Sequence, residues 1–205
     1  MRRAGQPGAA RPGGGHGARS HAGAVTAEFA IVITIFLAIV CGVVELARVL
    51  YIFNTLQVVT QRAAAAAANA DFSDAAAMAG VRQRAIFRGS AGTLSIGAPV
   101  TDNHIRIDYL SLADAGGTAI AEIPAASLPA CPANNRVACM QDPYGPSCIR
   151  MVRARICDPA DTAQCARVAY QPLFSFIAIP LSLPRAPAVT TVETLGAPPG
   201  QAPCP

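Results

Sequence analysis

The 205-residue chain is 52% hydrophobic and 14% charged, with a mean hydropathy of +0.37. That balance excludes a disordered protein and is too apolar for an ordinary soluble domain unless the excess is gathered in one segment. The net charge of +4 sits at the start of the chain. Residues 1–23 carry Arg2, Arg3, Arg11 and Arg19 with no acid, whereas residues 24–88 carry +1 and residues 89–205 carry −1. A nucleic-acid binder should hold its basic charge on a folded face, so no nucleic-acid partner is expected.

Residues 1–22 are Gly, Pro, Ala, Arg and His with no hydrophobic periodicity, which predicts a flexible basic tail. From Ala24 to Val44 the only charge is Glu28. At about 1.5 Å rise per residue, that run is long enough to cross a bilayer core. Arginines on one flank alone place the N-terminus in the cytoplasm and export the chain beyond the helix. There is no proline between Pro12 and Pro99, and Arg62–Ala70 is almost pure Ala. The helix is therefore expected to continue to the neighbourhood of Phe72 or Arg88, with Asp71, Ser73 and Asp74 placed to cap a break and a restart. Glu45 and Arg48 are three residues apart and can pair where the helix leaves the membrane. A solvated pair without a role and a subunit contact are equally open readings.

From Gly89 the pattern changes to strands and turns. Ile105, Ile107 and Tyr109 alternate with Arg106 and Asp108, predicting a half-buried strand over His104–Leu110. Ile149–Cys157, Ala166–Tyr170 and Leu173–Ile179 are further strand candidates between Asp-Pro and Gln-Pro turn signals. After Pro184 the chain should run extended and partly disordered. The expected division is a leader over 1–23, a transmembrane helix over 24–53, an Ala-rich helical extension over 54–88, an exported α+β domain over 89–184 and a Pro-rich tail over 185–205.

Cys41 lies within the apolar run, where a small apolar residue needs no special role. Cys131, Cys139, Cys148, Cys157, Cys165 and Cys204 all fall on the exported side. An even number in an oxidising compartment, on a domain with few aromatics, predicts three disulfides. Fifteen pairings are possible, and short local bridges such as Cys157–Cys165 suit the spacing. No C-x-x-C, HExxH, P-loop or nucleophile elbow occurs. The one histidine beyond the span, His104, is expected to face solvent from a strand. No catalytic residue, metal site or cofactor is expected, and the chain reads as a non-enzyme.

The sharpest signal is the boundary Gly23-Ala24-Val25-Thr26-Ala27-Glu28-Phe29. A secretory signal peptide would be cut after its apolar core, and Glu45-Leu46-Ala47-Arg48, which follow this one, offer no small-residue site nearby. Gly23 with Glu28 five residues on resembles the processing site of type IV prepilins. More closely, Glu28-Phe29-Ala30, Gly42-Glu45-Arg48 and the Ala-rich run Arg62–Ala68 resemble the TadE-like proteins, minor pseudopilins of the tight-adherence (Tad or Flp) pilus system. The resemblance spans roughly residues 19–65. Thr26-Ala27 departs mildly from the family's usual Ala-Val before the Glu.

The resemblance implies cleavage between Gly23 and Ala24 by a prepilin peptidase on the cytoplasmic side. It also implies that Glu28 and Phe29 serve peptidase recognition and assembly, with Glu28 pairing to the new N-terminal amine of a neighbouring subunit. Further expected partners are other pseudopilins, pilus-assembly proteins and membrane lipid. The fold class expected is α+β: a long pilin-like transmembrane helix, then a small disulfide-bearing exported domain with antiparallel strands. The location expected is single-pass in a bacterial inner membrane. The competing reading is an uncleaved, signal-anchored envelope domain that binds some other partner.

Overall fold

The structure, a computed structural model, describes residues 22–113, 116, 119–161, 163–176, 180–192, 194–197, 200 and 202–204. The basic leader expected over 1–23 therefore lies, up to residue 21, outside the described residues. The chain divides into two compact units, one ending at Gly42 and the other beginning at Val43.

Helix α1 (Ala22–Ala67) runs for 46 residues. In the first unit it presents Phe29, Ile31, Val32, Ile35, Phe36 and Ile39 at more than half exposure. Within the exposed apolar stretch Thr34 donates back to the Ala30 carbonyl at 2.7 Å, so that polar group is satisfied without a neighbour. A helix that is apolar all round and this exposed suits lipid.

The second unit is built on the rest of the same helix. Ile52, Leu56, Val59, Ala63 and Ala67 are fully buried, and their spacing of four, three, four and four residues draws one stripe down the helix. Small Ala side chains at the end of the stripe let the sheet approach closely. Helix α1 ends at Ala67 in a tightened turn, with Asn69 N–H donating to Ala66 O and Ala70 N–H to Ala67 O. Helix α2 (Ala75–Ala85) starts at Asp74, whose carboxylate accepts from Ala76 N (2.8 Å) and Ala77 N (3.2 Å). The break predicted at Asp71–Asp74 is present, and Asp74 is its N-cap.

Among the described residues four antiparallel strands come next: β1 (Ile105–Leu112), β2 (Ile120–Glu122), β3 (Met151–Ile156) and β4 (Ala188–Thr191), in the order β2-β1-β3-β4. A short helix α3 (Pro132–Gln141) precedes β3. The β1–β3 register sets Ile105 opposite Ile156, Ile107 opposite Ala154 and Tyr109 opposite Val152. This apolar face joins the α1 stripe in the core. The alternate residues carry charge: Asp108 accepts from Arg106 Nε and Arg155 Nε, each at 2.9 Å, and pairs with Arg153 at 3.3 Å. Asp108 and Glu122 thus offset the repulsion between Arg106 and Arg155, which stand opposite each other. The fold is α+β.

Three expectations change. Ala166–Tyr170 is not a strand; it makes one isolated bridge, Ala169 to Ser182, because Pro172, Pro180 and Pro184 remove donors around the would-be pair. Leu173–Phe176 is a bend and turn, and positions 177–179 of that candidate lie outside the described residues. The segment after Pro184, expected to be extended and partly disordered, supplies edge strand β4 instead. Its Leu195 is 1% exposed and donates its N–H to Ala68 O, satisfying a carbonyl at the end of α1. Gly196, at φ +75°, brings its backbone so close to Asp71 that an added Cβ would lie 2.8 Å from the Asp71 nitrogen.

His104 also departs from its expected solvent-facing strand position. It closes a 3₁₀ turn (Asp102–His104) ahead of β1, half-buried, with Nδ1 2.9 Å from Thr101 Oγ1 and accepting from the Thr101 N–H at 3.0 Å. Burial lowers its pKa below the ordinary value, more than Asp158 and Asp102 raise it. The unfolded chain therefore binds this proton first as pH falls. The stability held by the neutral ring is complete above about pH 6.5 and is lost as pH drops through the folded value. Thermal unfolding between pH 7.5 and 5.5 should show the wild type losing stability on acidification and His104→Asn losing less. Parallel curves would remove this role.

Candidate functional site: the helix exit at Glu45 and Arg48

A buried polar cluster in the second unit surrounds the turn of α1 just past the apolar run. Glu45 is 1% exposed and Arg48 is 8% exposed. Their charged groups approach to 3.6 Å, and each is committed elsewhere as well. Arg48 donates through Nε to Ile96 O (3.0 Å), through Nη2 to Ala98 O (3.0 Å), and through Nη1 to Gln171 O (2.6 Å) and the Tyr170 hydroxyl (3.0 Å). The Tyr170 hydroxyl in turn donates to Glu45 Oε1, and the Leu173 N–H donates to the same carboxylate at 3.1–3.2 Å. The guanidinium also lies 5.3 Å from the centre of the Tyr170 ring, within cation–π reach.

This arrangement clips two loops, 95–98 and 170–173, onto one helix turn. Tyr170 completes the circuit, and its pKa is raised first by burial and then by its hydrogen bond to Glu45. The hydroxyl stays protonated and remains a donor. Nothing local in the sequence points to Tyr170. The inward direction of Glu45 and Arg48, by contrast, is written in spacing: stepping back from Ile52 by four and then three residues reaches Arg48 and Glu45. The pair belongs to the core-facing stripe and joins helix to loop within one chain.

The remaining expected residues are spread along the chain. Gly23 and Ala24 are in the first turn of α1, where helical hydrogen bonds are fewest. Glu28 and Phe29 are exposed, Phe29 at 66%. The six cysteines form Cys131–Cys204, Cys139–Cys148 and Cys157–Cys165, and Cys41 is a free thiol. Among the described residues no group of three or more His, Cys, Asp or Glu side chains is gathered to hold a metal ion.

Fold and site together define a class: one helix, among the described residues, apolar and long enough to cross a membrane, continued as the core helix of a small disulfide-bonded α+β domain. Residues 23–68 match the family described as TadE-like protein. The match begins at Gly23 and includes Glu28, Glu45 and Arg48. No curated protein and no solved structure matches the chain.

Proposed function

We propose that the chain is a minor pseudopilin-like envelope protein acting in assembly of a Flp-type pilus, with no catalysis of its own. Its N-terminus lies in the cytoplasm, α1 crosses the inner membrane once and the domain is exported. A prepilin peptidase removes the leader between Gly23 and Ala24. Its other partners are pseudopilins and pilus-assembly proteins. The observation that carries this reading is the TadE-like match starting at Gly23, on a helix whose single acid in the apolar run, Glu28, is exposed.

A carboxylate in that run is costly, by about 2–3 kcal/mol at the midplane and less near the edge. The positive end of the helix offsets part of this, and cleavage creates a further positive charge on Ala24, one turn from Glu28. Glu28→Gln keeps the shape and removes the charge. Measured in one strain, it should leave cleavage and membrane abundance unchanged while surface pili are lost. Normal piliation would sink charge pairing. Loss of cleavage would assign Glu28 to the peptidase. Mass spectrometry should find Ala24 at the mature N-terminus, and a leader retained in the presence of active peptidase would favour the uncleaved, signal-anchored reading.

A further inference from the structure

We infer that the two loops clipped to the helix exit form an apolar collar that inserts into the lipid headgroup boundary. The inference rests on the membrane-anchored part of the proposed function. Its residues are Ile96, Leu173 and Phe176, which are 70%, 58% and 69% exposed. Phe174 stacks beside Phe176 with ring centres 5.6 Å apart. Large apolar side chains so exposed, on loops of a domain with few aromatics, form a surface that water disfavours.

The heights of Ile96 and Leu173 along α1 are set by hydrogen bonds, and Phe176 follows Leu173 by three residues in the same bend and turn. Arg48 holds the carbonyls of Ile96 and Ala98, and the Glu45 carboxylate holds the Leu173 N–H. Tyr51 adds a bond from its hydroxyl to Ser95 O at 3.4 Å. Both loops are therefore fixed beside residues 45–51. The apolar run ends at Val44, and about 30 Å of helix before it accounts for the hydrocarbon core. Total bilayer thickness is about 40–45 Å, so several further ångströms of helix beyond Val44 stand among headgroups. The collar is level with that zone, and Leu46 (60% exposed) continues the same apolar character on the helix itself.

Ile96 adds a second sign. It is β-branched yet held at φ +58°, a conformation that L residues adopt only where surroundings impose it. Here the Arg48 bond to its carbonyl fixes the loop while the side chain points away from the core. The collar also accounts for the buried ion pair: Glu45 and Arg48 are covered by loop backbone, so the boundary meets apolar groups and no bare charge.

The chain has no Trp, so a single introduced indole reports alone. Phe176→Trp, Phe36→Trp in the apolar run and Met140→Trp on α3 (85% exposed) would each be reconstituted as full chains. The vesicles contain phosphatidylcholine brominated near the top of its acyl chains. Phe176→Trp should emit to the blue and lose most of its emission to the bromine, as Phe36→Trp does, while Met140→Trp stays bright and red-shifted. If Phe36→Trp is quenched and Phe176→Trp behaves like Met140→Trp, the collar is overturned and the anchor stands. Blue emission at Phe176→Trp that bromine does not quench, and that fades as lipid dilutes the protein, would assign the patch to a second copy and overturn the lipid collar. An unquenched Phe36→Trp would remove the anchor and the collar together.

Discussion

Arg48→Ala should destabilise the domain by about 3–5 kcal/mol, the usual consequence of leaving one member of a buried ion pair without the other. Glu45, 1% exposed in the intact domain, would keep only the Tyr170 hydroxyl and the Leu173 N–H to hold its charge. The carbonyls of Ile96, Ala98 and Gln171 would lose their shared donor in the same step. Glu45→Gln should cost less, about 1–2 kcal/mol, because the amide oxygen still accepts one of the two hydrogen bonds. Denaturant unfolding of the full chain in nanodiscs reads both, and a double-mutant cycle with Tyr170→Phe isolates the relay. A loss below about 1 kcal/mol for Arg48→Ala would show a pair exposed to solvent, of the weak surface kind.

Among the disulfides, the one joining Cys131 to Cys204 should matter most. It spans 73 residues, against 9 for Cys139–Cys148 and 8 for Cys157–Cys165. Loop-closure entropy grows with the logarithm of that span, which gives about 4 kcal/mol for the long bridge and about 2.5 kcal/mol for each short one. Its position adds a local consequence. The bridge ties down the segment that carries β4 and then Leu195, the residue whose N–H closes the end of α1. The paired Cys131→Ala, Cys204→Ala variant should unfold at lower denaturant than either short-bridge variant, and protease should cut first after Thr191. Equal losses for all three pairs, with no early cut, would mean that packing of Leu195 alone secures the segment.

Much of this protein is readable from local pattern because its main signals act within one element. The apolar run, the Ala-rich extension and the absence of proline predict α1, and Asp71, Ser73 and Asp74 predict a restart at α2, since a cap needs only its own next three residues. The alternation from Ile105 to Tyr109 predicts β1 because pleat direction depends on neighbours two apart. The Ala166–Tyr170 and Leu173–Ile179 candidates have suitable composition for strands. Strand pairing, however, needs a free donor and acceptor row on a second segment, and the prolines at 172, 180 and 184 interrupt it.

Local pattern suffices for the bilayer-length helix, the break after it, the two-faced strand and an even set of six cysteines beyond the span. Those come from periodicity, propensity and parity. Long-range packing selects the full set of cysteine pairs, turns the segment after Pro184 into an edge strand and sets Tyr170 between Glu45 and Arg48. The short bridge Cys157–Cys165 is the one its spacing favours, whereas the others that matter most join distant residues, 73 positions apart for Cys131 and Cys204 and 125 for Glu45 and Tyr170. Such pairs carry no local signature, because the free energy that selects them comes from packing the whole domain on one helix.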